Sequence, residues 1–242
     1  MKHEIKSQEN CGVCGQPLIY GTETVSRRCA FCGEKHNTLI YCPKGHYVCD
    51  DCHRHEALDV LREVLNSTTV TSPSDILETV MSHPSVPMHG PEHHAMVPAI
   101  IVAAAKNAGY PIPEGAVEKA LARGSEVPGG WCGSHGVCGA AIGVGTAISI
   151  LTGATPLTGK TRKLSNEATM LALSRMLDEH PRCCKRASRM ALEVAADFLH
   201  DRMGINLDKG QMIRCSYVGR NRECVRENCS YYDKDSSPPD GK

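Results

Sequence analysis

A mainly α-helical protein, preceded by a small cysteine-rich module, is predicted by three features of the sequence. Seven of the 14 cysteines lie before residue 56, together with a histidine at matching spacing. Aromatic residues make up only 4% of the chain, and its apolar residues are chiefly Ala, Val, Ile, Leu and Met. Small and straight-chain side chains of this kind suit closely packed helices better than sheets. Helix start and stop signals then recur from Ser72 to Gly204. A length of 242 residues accommodates one compact domain and an appendage. The expected division is 1–56 for the module and 57–232 for an all-α domain with a cysteine-rich C-terminal loop. Residues 233–242 form a polar tail expected to be disordered.

The first ligand-rich stretch contains Cys11, Cys14, Cys29, Cys32, Cys42, His46, Cys49 and Cys52, including three Cys-x2-Cys pairs and one Cys-x3-His pair. A tetrahedral zinc takes four thiolate or imidazole ligands, and a Cys-x2-Cys turn places two thiolates on one metal. Gly15 and Gly33 follow two of the knuckles, where a positive φ lets the chain turn back and aim amides at sulfur. Eight ligands therefore divide into two zinc sites. Two pairings are open. An interleaved cross-brace joins Cys11, Cys14, Cys42 and His46, and separately Cys29, Cys32, Cys49 and Cys52; a sequential ribbon gives one metal to the first four cysteines and the other to the last four ligands. The stretch GHYVCDDC resembles the middle of RING-type cross-braces, which favours the interleaved pairing. Closed sites of this kind stabilise folding, which so small a module needs. His53 and His55, just past the last knuckle, are read as solvent-facing or supporting residues rather than ligands.

Charge and location follow from composition. Lys plus Arg and Asp plus Glu are both 27, so no basic footprint invites nucleic acid. The opening MKHEIKSQEN has no apolar run of the signal-peptide kind, and a cytoplasmic location is expected. In a reducing compartment the cysteines read as metal thiolates rather than disulfides. Residues 136–159 carry no charge, but this run is rich in Gly, Ala and Thr, contains Pro156, and lacks aromatic belts. It is expected to be a buried core helix, with no membrane contact.

The helices are placed by their punctuation. Leu58, Leu61, Val64 and Leu65 form one apolar face of a helix docking the module onto the second domain. Ser72-Pro73-Ser74-Asp75 supplies an N-cap, a first-position proline and an acidic first turn. Gly90-Pro91-Glu92 opens a helix that Gly109 closes, kinked near Pro98; Pro113 and Gly124 bracket the next. Further helices are expected over about 137–151, 164–179 and 183–203, the last stopped by Gly204. Gly139 and Gly143 lie four residues apart, so one helix face admits a neighbouring backbone closely.

Seven cysteines remain: Cys132, Cys138, Cys183, Cys184, Cys215, Cys224 and Cys229. Cys138, Cys183 and Cys184 fall at predicted helix starts, where free amides and the helix dipole stabilise thiolates. Their irregular spacings, drawn from separate elements, suit an iron–sulfur cluster of 4Fe–4S type better than a zinc knuckle. The expected arrangement joins Cys183 or Cys184 to Cys215, Cys224 and Cys229, with Cys132 and Cys138 lining the same cavity. His89, His93 and His94 in MHGPEHH, and His135 in WCGSHGVCG, are candidates for metal binding or acid–base chemistry.

The strings GHYVCDDCH, MHGPEHH, GGWCGSHGVCGA, LTGATPL, PRCCKR and the final cysteine triplet resemble the domain of unknown function 5714 family across nearly the whole chain. CGAAIG is also similar to a glycine–cysteine motif of a broader cysteine-rich family thought to bind iron–sulfur centres. The resemblance implies a protein of anaerobes and methanogens, often attached to a class I methyltransferase domain. This chain has no strand followed by a glycine-rich nucleotide loop to make one. Two functions are carried forward. One is an iron–sulfur enzyme of sulfur, electron or one-carbon chemistry; the other is a non-catalytic metal-binding module that recruits or regulates a methyltransferase or redox partner. The small-residue helix face also admits a homo-oligomer.

Overall fold

The computed structural model describes residues 11, 13–14, 16–49 and 57–233. Cys52, His53 and His55, Gly15, and all of the expected tail except Asp233 lie outside the described residues.

The module is organised by a hairpin, β1 (Ile19–Arg28) pairing antiparallel with β2 (Lys35–Tyr41), with Arg28 opposite Lys35 and Ile19 opposite Tyr41. The register slips between Tyr20 and Val25. Cys29 and Cys32 occupy the turn between the strands, and Cys42 follows β2 directly. Gly33, at φ 74°, makes this turn possible and donates its N–H to the Cys29 carbonyl. These strands are not among the elements expected from the sequence.

The remainder is helical: α1 (Ala57–Ser67), α2 (Pro73–Met81), α3 (Glu92–Asn107), α4 (Ala116–Ser125), α5 (Trp131–Ser134), α6 (Gly139–Thr152), α7 (Gly159–Arg175) and α8 (Cys184–Met203). Expected signals hold at several ends. The Ser72 hydroxyl accepts the Asp75 N–H as the cap of α2, and Gly204 closes α8 in the left-handed conformation at φ 67°. Two placements differ from expectation. Helix α7 starts at Gly159 rather than near 164 and stops at Arg175 rather than 179, because the Thr155–Thr158 turn launches it early and the Asp178 carboxylate caps the His180 N–H in a separate turn. The one-turn helix α5 has no counterpart among the expected elements.

Helix α3 is the central element, packed by α1, α2, α4, α6 and α8. Its residues from Ala95 to Ala105 are buried on all sides. Small residues let its neighbours approach: a Cβ on Gly143 of α6 would stand 2.8 Å from Pro98 Cδ, and one on Gly124 of α4 would stand 2.5 Å from the His94 carbonyl oxygen. The uncharged run becomes α6, a buried helix of 14 residues, about 21 Å long and too short for a bilayer core of about 30 Å. Among the described residues no helix is long and apolar enough to cross a membrane. The segment after Ile205 is irregular apart from a turn at Arg226–Asn228, and folds back over α8. There the Cys215 N–H donates to the Tyr231 carbonyl, and the Tyr231 hydroxyl donates to Glu193.

Candidate metal centres and an adjoining cavity

In the module, the ligand atoms of Cys11, Cys14, Cys42 and His46 all lie within 4.8 Å of one another, as do those of Cys29, Cys32 and Cys49. This is the interleaved pairing; Cys52, its remaining member, lies outside the described residues. Four thiolates about 2.3 Å from one zinc stand about 3.8 Å apart. The observed separations match: 3.5 Å for Cys14–Cys42, 3.8 Å for Cys32–Cys49, and 3.9 Å from Cys11 Sγ to His46 Nδ1. Only two residues separate His46 from Cys49, a reach of about 10 Å, so the two groups are close neighbours.

Amides aim at the sulfurs. Lys44 N–H faces Cys42 Sγ at 3.3 Å, and Cys49 N–H faces Cys29 Sγ at 3.4 Å. Burial raises the Cys29 thiol, but amides of Cys49, Phe31 and Cys32 outweigh it and hold the group down at about 7. Cys14 goes the other way, pushed up to about 11 by burial, with neighbouring thiols adding to the shift. A cation placed among these sulfurs removes that conflict. The two groups can hold metal ions. No described cysteine is in a disulfide.

The cysteines of the helical domain divide between two adjacent cavities. One is narrow, lined by Cys183, Cys215, Cys224 and Cys229, with Arg186 and Arg189 in its wall. The other is open, has a volume of about 510 Å³, and is lined by Cys132, Cys138, Cys183, Cys184, His93 and His94 among others. Cys183 therefore joins the C-terminal triplet, Cys184 does not, and Cys132 and Cys138 line the neighbouring cavity instead of the same one. Only Cys183 among the cysteines stands in both walls. These sulfurs are spread more widely than those of the module, whose two groups alone meet the 4.8 Å spacing among the described residues.

Two arginines line the narrow cavity, and a buried lysine stands close behind them. Arg189, 1% exposed, makes two parallel hydrogen bonds to Glu78 and also reaches Cys215. Arg186 donates to Asp178 at 3.3 Å and to the Pro181 carbonyl at 3.2 Å. Lys185 is fully buried; its Nζ donates to the Met81 carbonyl at 3.3 Å and sits 4.3 Å from the centre of the Tyr217 ring. Among the described residues no carboxylate is in ion-pair contact with Lys185. Burial, then the charges of Arg220 and Arg189, bring this lysine down to about 8. The basic residues of CCKRASR stand directly after the paired cysteines, a signal in the sequence of the cations beside these sulfurs.

The four histidines separate. His93 is 1% exposed and its Nδ1 faces the Gly90 carbonyl at 3.2 Å. His94 Nδ1 faces the Val127 carbonyl at 2.9 Å. A carbonyl only accepts, so each Nδ1 carries a proton. Burial first, with Lys185 adding to it, drives the His93 imidazole down to about 3, which keeps it neutral. His89 lies outside both walls and ties the C-terminal loop in place, its Nε2 3.2 Å from Asn221 Oδ1 and 3.3 Å from Glu223 Oε2. His135 is exposed, stacks on Trp131 with ring centres 4.8 Å apart, and is also outside both walls.

No curated protein and no solved structure matches the chain. A family model, described as a family of unknown function, matches residues 61–232. The match runs from within α1 to the end of the C-terminal cysteine loop and leaves the hairpin module outside. Covering most of the chain, it shows that this protein belongs to the family of unknown function DUF5714.

Proposed function

We propose that the protein is an iron–sulfur protein in which Cys183, Cys215, Cys224 and Cys229 hold a 4Fe–4S cluster beside a ligand cavity, with two zinc ions stabilising the N-terminal module. The observation that carries this reading is the convergence of the four cysteines, from two distant stretches of chain, on one cavity walled by Arg186 and Arg189. A cluster bound by four thiolates carries net negative charge, which is costly away from water unless cations or amides compensate it. Arg186 and Arg189 in the wall supply that compensation, and buried Lys185, in ion-pair contact with no carboxylate among the described residues, adds its charge nearby. Each thiolate of a cluster takes a different iron, so its sulfurs stand further apart than on a single zinc. The module groups have the spacing of single-zinc sites, and this set, which does not, is compatible with a cluster.

Cys183 in both walls would put the cluster at the edge of the 510 Å³ cavity. Four cysteine ligands leave no iron open, which favours passing electrons to a molecule in the cavity over binding that molecule to iron. An open iron would instead have favoured sulfur or one-carbon chemistry at the cluster, and a cluster closed by four cysteines equally fits the non-catalytic module beside a redox or methyltransferase partner. The test is metal and acid-labile sulfide analysis of the full chain purified without oxygen. About four iron and four sulfide per chain, with about two zinc, support the reading. Zinc without sulfide would leave a non-catalytic module that recruits a methyltransferase or redox partner.

A further inference from the structure

We propose that the open cavity takes a small organic acid whose apolar body carries an O–H or N–H donor at the end away from the acid group. His93 Nε2 accepts the donor at the buried end, and Arg182 holds the anion at the exposed end. The inference rests on the proposed function in one respect, that this cavity receives a ligand, and it names the class of molecule received. The starting observation is His93, a lining residue only 1% exposed. Its Nδ1 is held by the Gly90 carbonyl, and its Nε2 is buried with no hydrogen-bond partner. Burial keeps the ring neutral with its one proton on Nδ1, so Nε2 presents a lone pair. A buried acceptor left alone is costly, and only a donor satisfies it. A carboxylate or carbonyl oxygen placed there would set lone pair against lone pair.

The charge of the wall fixes the other end. Three lining residues carry a fixed charge: Arg182, Arg186 and Asp178. Asp178 accepts from Arg186, so that pair is neutral. Arg182 is exposed and, among the described residues, in ion-pair contact with no carboxylate. An acid group placed there gains a cation while staying near water, which spares it the cost of burial. An ammonium group in the same place would be repelled. Between the two ends Leu173, Met176, Ala187 and Met190 offer apolar surface, and a volume of about 510 Å³ is in the range of small-molecule sites. The donor end therefore enters first, and the acid remains outermost.

The experiment is calorimetric titration of the anaerobically purified full chain with three probes. These are para-hydroxyphenylacetate, phenylacetate, which lacks the donor, and para-hydroxyphenylethylamine, which has a cation in place of the acid. The hydroxy acid should bind saturably, one per chain. Phenylacetate should bind about three- to tenfold more weakly, the worth of one hydrogen bond, and the amine at least about tenfold more weakly. In His93→Leu the two acids should bind alike, and in Arg182→Gln the preference for acid over amine should collapse. No saturable binding of the hydroxy acid at millimolar concentration, equal affinity for all three probes, or a donor preference that survives His93→Leu would overturn the proposal. The three probes on the unsubstituted chain decide the question even if a variant fails to fold. Iron and sulfide are measured on the same sample, so the two readings fail separately. Probe discrimination without sulfide removes the cluster and leaves the ligand class standing, whereas a full cluster without discrimination does the reverse.

Discussion

Arg189 on α8 and Glu78 on α2 meet through two parallel hydrogen bonds, Nε to Oε1 at 2.7 Å and Nη2 to Oε2 at 2.8 Å. The guanidinium is almost wholly buried, beneath Tyr217 and Tyr231 of the C-terminal segment. Removing the carboxylate strands a buried cation. Glu78→Ala should therefore cost on the order of 3 kcal/mol, at the low end for a broken buried pair because Glu78 is 31% exposed. Urea denaturation measures it, and a loss below about 0.5 kcal/mol, the range of an ordinary surface substitution, would show that the pair is not holding this corner.

The module is joined to the helical core by an aromatic contact. Phe31, two residues past Cys29, meets His83 edge to face with ring centres 4.2 Å apart. Such pairs contribute about 0.5–1.5 kcal/mol beyond the area they bury. Phe31→Ala should lower the unfolding midpoint of the whole chain while the module keeps its metal. An unchanged midpoint would mean that the two parts are energetically independent.

Gly139 should tolerate no side chain. Gly139→Ala places a methyl group against the His94 ring and should cost about 1–3 kcal/mol by overpacking. It should also turn the ring and reduce binding in the large cavity. Gly159, where an added Cβ would meet nothing within 4 Å, is the matched control, and Gly159→Ala should change stability by less than about 0.5 kcal/mol. Equal losses at both positions would contradict the close packing of α6 on α3.

Metal should hold the module together. Cys29 is buried in the turn between β1 and β2, and a structural zinc supplies on the order of 10 kcal/mol of folding free energy. Cys29→Ser should release zinc and open the hairpin to protease while α3 to α8 stay folded. A variant that keeps both zinc ions and the hairpin would contradict the ligand assignment.

What could be read in the sequence was the part written in local chemistry. Ser72, Gly204 and the Cys-x2-Cys knuckles signal their own conformation, and Gly139 with Gly143 announced a close approach without saying to what. The hairpin was hidden because its strands carry Glu23, Ser26, Arg27 and Arg28 where an alternating apolar pattern would be looked for. The division of the cysteines between two cavities was hidden for a different reason. Cys183 is the extended N-cap of α8, at φ −140° and ψ 105°, and Cys184 is its first helical residue, so Cys183 reaches both walls and Cys184 only the open one. Their separation depends on the backbone turning between them, which residue type alone does not encode. CCKRASR placed cations beside the cysteines, but the pairing of Arg189 with Glu78 becomes legible only once α2 and α8 are side by side.

That division gives the most direct test of the account. Cys183 lines the narrow cavity with Cys215, Cys224 and Cys229, whereas Cys184 lines only the open one. The measurement is iron and acid-labile sulfide per chain in Cys183→Ser and Cys184→Ser, each purified without oxygen beside the unsubstituted protein. The account predicts that Cys183→Ser loses most of its iron and sulfide and that Cys184→Ser retains both. Retention in Cys183→Ser with loss in Cys184→Ser, or iron and sulfide absent from the unsubstituted protein, would contradict it.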